Sequence, residues 1–204
     1  MIVIDGQKSF MEMKQFKNLE ELLVKVMDAE QLKNRIVTDV LVNNESFTEI
    51  YPHQAEDMET SDIERLEVVT MPVSEMAVNI TRELDKVVHL MAAGSIQVAD
   101  FFRQGEDSEA LEVYQDLLEV TRDFLGMVGL LRDEFDLKKN AELSTAVEEL
   151  SDLFSEILEV QENEDWTLLA DIMEFEFTPV VEQWKTIIAT LRDDISGQSG
   201  VSHG

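Results

Sequence analysis

The sequence contains no cysteine. Disulfides, thiolate metal ligands and a cysteine nucleophile are therefore excluded together. Positive charge is scarce: 16 Lys and Arg stand against 44 Asp and Glu, a formal charge of −28. Such a surface repels nucleic acid and anionic membranes unless a basic patch overrides the field. The closest basic clusters are Lys14 with Lys17 and the pair Lys138–Lys139, too small for that task. Long apolar runs are missing as well. The longest weakly charged stretch, Val87 to Ile96, includes His89 and Gly94 and is too short to span a bilayer. The N-terminal MIVIDGQKSF lacks the basic start and apolar stretch of a signal peptide, so the expectation is a soluble cytoplasmic protein.

Only three histidines occur, His53, His89 and His203, which bears on a metal reading. A di-metal bundle needs Glu-x-x-His on two helices so that imidazole and carboxylate share the ion. His89 follows Asp85 by four residues, but no other helical stretch contains a histidine. His53 sits among Glu56, Asp57, Glu59 and Asp62 without the alternating acids, central glycine and terminal glutamate of a calcium loop. The 8 glycines form no phosphate cradle, and no Gly-x-Ser-x-Gly is present. The residues therefore name no catalytic, metal or cofactor site.

What is abundant is helical periodicity. Ala110, Tyr114, Leu117, Thr121, Phe124, Val128, Leu131 and Phe135 recur in steps of four and three, as do Ile80, Leu84, Val87, Met91, Gly94, Val98 and Phe101. That spacing keeps one stripe of a helix against a partner. The boundaries predict helix A over about 73–103, helix B from an Asp107 or Ser108 cap to about 135, helix C over 141–161, and helix D from Asn163 or Asp165 to Ile195. Short connectors make sequential helices antiparallel, which predicts an up-down-up-down four-helix bundle over 71–195. Residues 196–204 have the composition of a flexible tail.

Residues 1–70 read differently. Ile2–Ile4 is β-prone, Asp5-Gly6 is a hairpin signal, and Ser9–Met13 can return as a second strand. Asn18 can cap a helix carrying Leu19, Leu22, Leu23, Val26 and Met27 on one face. Ile36–Val42 and Ile63–Thr70 are further strands, the first ending at the turn signal Asn43-Asn44, with a polar loop over 48–61 between them. This ββαββ order resembles a ubiquitin-like β-grasp, and a split ferredoxin-like unit also fits it. The fold class expected is α+β, predominantly α.

Two features rise above this background. Gly126 and Gly129 lie inside helix B, where each costs about 1 kcal/mol relative to alanine. They could allow close approach to Ala92, Ala93 and Gly94 on helix A, or open a groove for a partner's side chain or helix. Further on, ADIMEFEFTPVVEQW places Pro179 in a helix interior, which predicts a kink, with Glu174, Glu176 and Trp184 close by. This segment is similar to one in uncharacterised bacterial proteins of about this size with the same hairpin-then-bundle layout. The resemblance implies a fold and no activity.

The candidate partner groove is accordingly Gly126, Gly129, Glu174, Glu176, Pro179 and Trp184. The expected function is a non-enzymatic protein-binding, adaptor or chaperone-like role, with a partner that offers a basic surface. The general character is that of small acidic helical chaperones of secretion and flagellar export. A homo-oligomer is compatible with the sequence. The alternative is a carboxylate-based metal-binding or enzymatic bundle using Glu174, Glu176 and acids of helix C.

Overall fold

The computed structural model describes residues 1–48, 54–135, 137 and 140–201. His53, the Lys138–Lys139 pair and His203, all weighed above, lie outside the described residues. The chain divides into two compact units, Met1–Met76 and Ala77–Gly204.

The first unit is a five-stranded sheet ordered β2-β1-β5-β3-β4. Its strands are β1 (Ile2–Ile4), β2 (Gln7–Lys8), β3 (Arg35–Val42), β4 (Glu45–Ser46) and β5 (Leu66–Pro72), with helix α1 (Leu19–Met27) between β2 and β3. β1 and β5 run parallel and every other pairing is antiparallel. This is the β-grasp-like arrangement that the element order implied.

Both hairpins follow from their turn residues. Asp5 and Gly6 take φ of 47° and 76°, and Asn43 and Asn44 take 53° and 69°. Paired left-handed residues are what a two-residue turn between twisted strands requires. The tight first turn pairs Ile4 with Gln7, so β2 is Gln7–Lys8 and not the expected Ser9–Met13. Met13–Gln15 is instead a 3₁₀ turn. The second turn also creates β4, a strand the sequence reading did not assign. β5 begins at Leu66, three residues later than expected.

Helix α1 starts at Asn18, whose side chain accepts the Glu21 amide at 3.0 Å, while Glu21 accepts the Lys17 amide at 2.9 Å. Two otherwise orphaned donors are thereby satisfied. The helix buries Leu19, Leu22 and Val26 against Ile2, Ile4, Leu66 and Val68. A bulge between Val37 and Asp39 shifts the register of β3, so Val37, Val40 and Val42 all reach this core despite their uneven spacing. A short helix α2 (Gln54–Asp57) contributes Ala55.

The second unit contains all but the first turn of α3 (Val73–Gln104), then α4 (Asp107–Glu134), α5 (Ala141–Glu162), and a long final helix composed of α6 (Trp166–Ile172), a π-helical turn (Met173–Phe177) and α7 (Thr178–Val201). These form the antiparallel four-helix bundle. Gly105, at φ 76°, ends α3. Asn140 caps α5 through the Leu143 amide, and Asp165 caps α6 through the Leu168 amide, both at 3.0 Å. Glu106, not Asp107 or Ser108, occupies the cap position of α4 and makes no side-chain cap bond. Helical geometry in α7 continues past Ile195 to Val201. Extending an established helix adds a backbone bond per residue, which offsets the poor propensity of serine and glycine there.

The α4 stripe from Ala110 to Leu131 is buried as its spacing indicates. The α3 stripe keeps Leu84, Met91 and Val98, but its other positions fall one residue later than expected. Ala77, Thr81, Leu84, Val88, Met91, Ser95, Val98 and Phe102 are buried, whereas Ile80, Val87 and Phe101 pack from the flank. Thr81 and Ser95 enter the seam because their hydroxyls are satisfied there. Thr81 donates to the Val78 carbonyl at 2.7 Å and Ser95 to the Ala92 carbonyl at 2.9 Å. Ser95 and Thr178 hydroxyls also meet at 2.7 Å, and Arg192 donates to Thr81 Oγ1 at 3.1 Å. These contacts fix α3 antiparallel to α7. Among the described residues, no helix is long and apolar enough to cross a membrane.

Candidate functional site

The sequence-derived residues separate in space. Trp184 is 1% exposed and sets its ring edge-on to Phe124 of α4, centroids 5.0 Å apart and planes at 87°. It belongs to the bundle core and cannot line an open groove. Its period explains this, because Val181, Trp184, Ile188 and Leu191 are successive seam positions of α7. Gly126 is exposed and Gly129 half-buried, and a Cβ built on either would meet nothing within 4 Å. With Phe124 and Val128 turned inward, the two glycines fall on the outer side of α4. The close approach to helix α3 that they suggested does not occur there. It occurs at Gly94, where a Cβ would touch Leu117 Cδ1 at 3.6 Å.

Pro179 lies in the first turn of α7, exposed, where a missing N–H is cheap. The distortion expected at this proline takes the form of the π-helical turn just before it. Thr178 donates from both its amide and its hydroxyl to the Met173 carbonyl, the latter at 2.9 Å. The buried positions Met173, Phe177 and Val181 show why: two successive steps of four replace the usual four and three. The wide turn absorbs that extra residue and keeps both halves of the helix facing the core.

Glu176 is exposed, while Glu174 is engaged. Arg103, at the end of α3, forks onto Glu174 and onto Asp171, the latter at 2.9 Å, and lies 5.5 Å over the Phe175 ring. Beneath it, Phe102 stacks on Trp166 with centroids 5.3 Å apart. The hydrogen bonds that Arg103 donates to Glu174 and then to Asp171 raise its pKa above the usual value. The arrangement fastens α3 to the π turn. His89 is exposed and its Nδ1 contacts the Asp85 carbonyl at 2.8 Å, a bond within one helix turn. Tyr114 is buried, donates to Gln161 Oε1 at 3.1 Å, and has its pKa pushed up to about 12 by burial. Its phenol stays a donor throughout the physiological range. Among the described residues, no group of three or more His, Asp or Glu is arranged to hold a metal ion.

Two clefts remain. One, of about 670 Å³, lies in the first unit beside β2 and the α1–β3 connection, with Asp5, Lys8, Phe10, Glu30 and Arg35 on its walls. Its charges are of both signs, and Asp5 and Arg35 bond each other at 3.1 Å. The other, of about 520 Å³, lies between α5 and α7. Ala141, Thr145 and Ala146 form one wall, Gln183, Thr186 and Ile187 the other, and Glu142 and Glu149 complete its lining.

The second cleft has a clear origin in the sequence. The buried seam of α5 runs Leu143, Ala146, Leu150, Leu153, Ile157, Val160. Ala146 is its one small member, so the α5–α7 contact is under-filled at that layer. From Glu142 to Glu162 every charged residue of α5 is an acid. Among the described residues no cation pairs with Glu142 or Glu149, while the neighbouring Lys185 is held by Glu182 at 2.5 Å. The opening was missed from sequence because it appears only when the two seams are aligned.

Residues 1–71 match the domain of unknown function DUF8043, and residues 79–187 match the domain of unknown function DUF8042. No curated protein and no solved structure matches the chain. Since the second match covers more than half of its length, this chain belongs to the DUF8042 family.

Proposed function

We propose that the protein is a non-enzymatic, cytoplasmic binding or adaptor protein that engages another protein through its acidic helical bundle, in the manner of a small chaperone. The observation carrying this reading is the coincidence of an open cleft and a helix whose charged residues are all acidic. Alpha5 has no positive residue to offset its acids, a self-repulsion that weakens the fold unless a cationic partner relieves it. The cleft beside that helix has an apolar floor of Ala146 and Ile187, both buried. A surface with apolar floor and single-sign rim suits recognition of a basic, partly apolar protein segment.

Photo-crosslinking inside the producing cell tests the proposal. A crosslinking residue at Thr145 of α5 is expected to yield discrete protein adducts. The same residue at Arg82 of α3, an exposed position whose guanidinium bonds Asn79 one turn away, is expected to yield few. No adducts at Thr145, or identical adducts at both positions, would remove the support for a bundle-borne binding function.

A further inference from the structure

We infer that the cleft between α5 and α7 is the seat of a basic amphipathic helix of a partner protein, whose Lys or Arg side chains reach Glu142 and Glu149 across an apolar floor. This rests on the binding reading above and gives it a partner class.

The geometry of the walls selects the shape of the occupant. Glu142, Thr145, Ala146 and Glu149 follow one another at helical steps of three, one and three, so they form a single face of α5. Gln183, Thr186 and Ile187 occupy one turn of α7. The groove therefore runs along the helix axes, and a rod lying parallel to them meets both walls along its length. Helix-in-groove recognition works in this way, with anchors repeating at helical spacing.

Charge selects its chemistry. Glu142 and Glu149 are seven residues apart, about 10 Å along the axis. Cations seven residues apart on a partner helix have the same spacing. Between them the floor offers Ala146 and Ile187 to an aliphatic side chain, and the Thr145 and Thr186 hydroxyls border it. Lysine and arginine combine an apolar stem with a charged head and fit both parts of such a surface. A carboxylate-bearing partner would meet like charge on α5 and is rejected by the same field.

The probe is a synthetic 18-residue helix of Leu and Lys, titrated into the full chain and followed by backbone amide shifts. The expected result is shifts concentrated in 141–149 and 183–187. Glu142→Gln with Glu149→Gln should weaken binding by about tenfold, whereas Glu156→Gln with Glu162→Gln, the same charge change elsewhere on α5, should weaken it less than about threefold. Thr186→Arg places the protein's own cation in the groove at an exposed position. It should block the peptide about tenfold while preserving the amide spectrum of the rest of the bundle. Ala146→Leu, which fills the cleft without altering charge, should act in the same direction.

Equal losses from both glutamine pairs, or full affinity in both Thr186→Arg and Ala146→Leu, would show diffuse attraction to the acidic surface. The cleft assignment would then fall while the binding reading stood. Spermidine shifting the same amides with equal affinity would make the groove a small-cation site and overturn the helix assignment. Absence of peptide binding would overturn it too, whereas the broader reading fails on the crosslinking result.

Discussion

Asp5 and Thr70 are joined twice: the Asp5 carboxylate accepts the Thr70 amide at 2.7 Å and the Thr70 hydroxyl at 2.7 Å. Arg35 closes the group, donating to Thr70 Oγ1 at 2.7 Å and to Asp5 at 3.1 Å. The tip of the first hairpin is thus tied to the strand pair β5–β3, and Asp5 is held in its left-handed turn conformation. Asparagine and aspartate tolerate that conformation best after glycine.

Burial raises the Asp5 pKa, but the Thr70 side-chain and backbone hydrogen bonds and the Arg35 charge outweigh it and bring the value below the ordinary 3.8. A carboxyl depressed in the folded state stabilises the fold above its unfolded pKa. That contribution is lost as pH falls through the lowered value. A carboxyl NMR titration should therefore place the Asp5 midpoint below 3.8. Thr70→Val should move it upward and cost about 1–2 kcal/mol. Asp5→Asn should flatten the acid limb of the stability curve relative to the native chain. An Asp5 midpoint unaffected by Thr70→Val would contradict this account.

The outward glycines of α4 give a prediction opposite in sign to most substitutions. Each sits mid-helix with open space where a Cβ would go. Gly126→Ala and Gly129→Ala should each stabilise the protein by about 1 kcal/mol, additively, through reduced unfolded-state entropy. Thermal unfolding followed by circular dichroism measures this. A loss of stability in either variant would mean that the glycine serves a contact absent from this structure.

The formal charge of −28 predicts a salt response. Moving from about 0.01 M to about 0.1 M sodium chloride shortens the screening length from about 30 to about 10 Å. Repulsion among the acids of α4 and α5 should weaken and the melting temperature rise. Calcium or manganese at micromolar concentration should add nothing at matched ionic strength. A specific rise with either ion would favour a carboxylate metal site over a protein-binding surface.

The features most legible in the sequence were those set by strictly local chemistry. Asp5-Gly6 and Asn43-Asn44 announce their turns, Asn18 its cap, and the α4 stripe its buried face. Legibility failed where polar residues carried packing roles. Thr81 and Ser95 sit in the α3 seam because each hydroxyl bonds a carbonyl of its own helix, so a count that favoured apolar residues took Ile80 and Gly94 in their place. At the candidate site, closeness to Pro179 drew Trp184 into the proposed groove, although its spacing from Val181 and Ile188 marks it as core. Ala146 drew no notice, since a small residue in one seam becomes an opening only against a particular stretch of α7.

The final helix offers a test in which two causes can be separated. The π turn at Met173–Phe177 accommodates an extra residue between the seam positions Met173 and Val181, and it precedes Pro179, whose ring would crowd the Phe175 carbonyl in a regular α-helix. Deleting the exposed Glu176 restores the steps of three and four and converts the π turn to α, but it leaves Pro179 in uninterrupted helix. That deletion should cost about 3 kcal/mol. Pro179→Ala alone should change stability by less than about 1 kcal/mol, because Thr178 still holds the Met173 carbonyl through its hydroxyl. The deletion combined with Pro179→Ala should recover most of the loss, a positive coupling in the double-mutant cycle. Equal damage from the deletion with proline or alanine at 179 would mean that the wide turn answers to the packing of Met173 and Phe177 alone, with the proline a bystander in the first turn of α7.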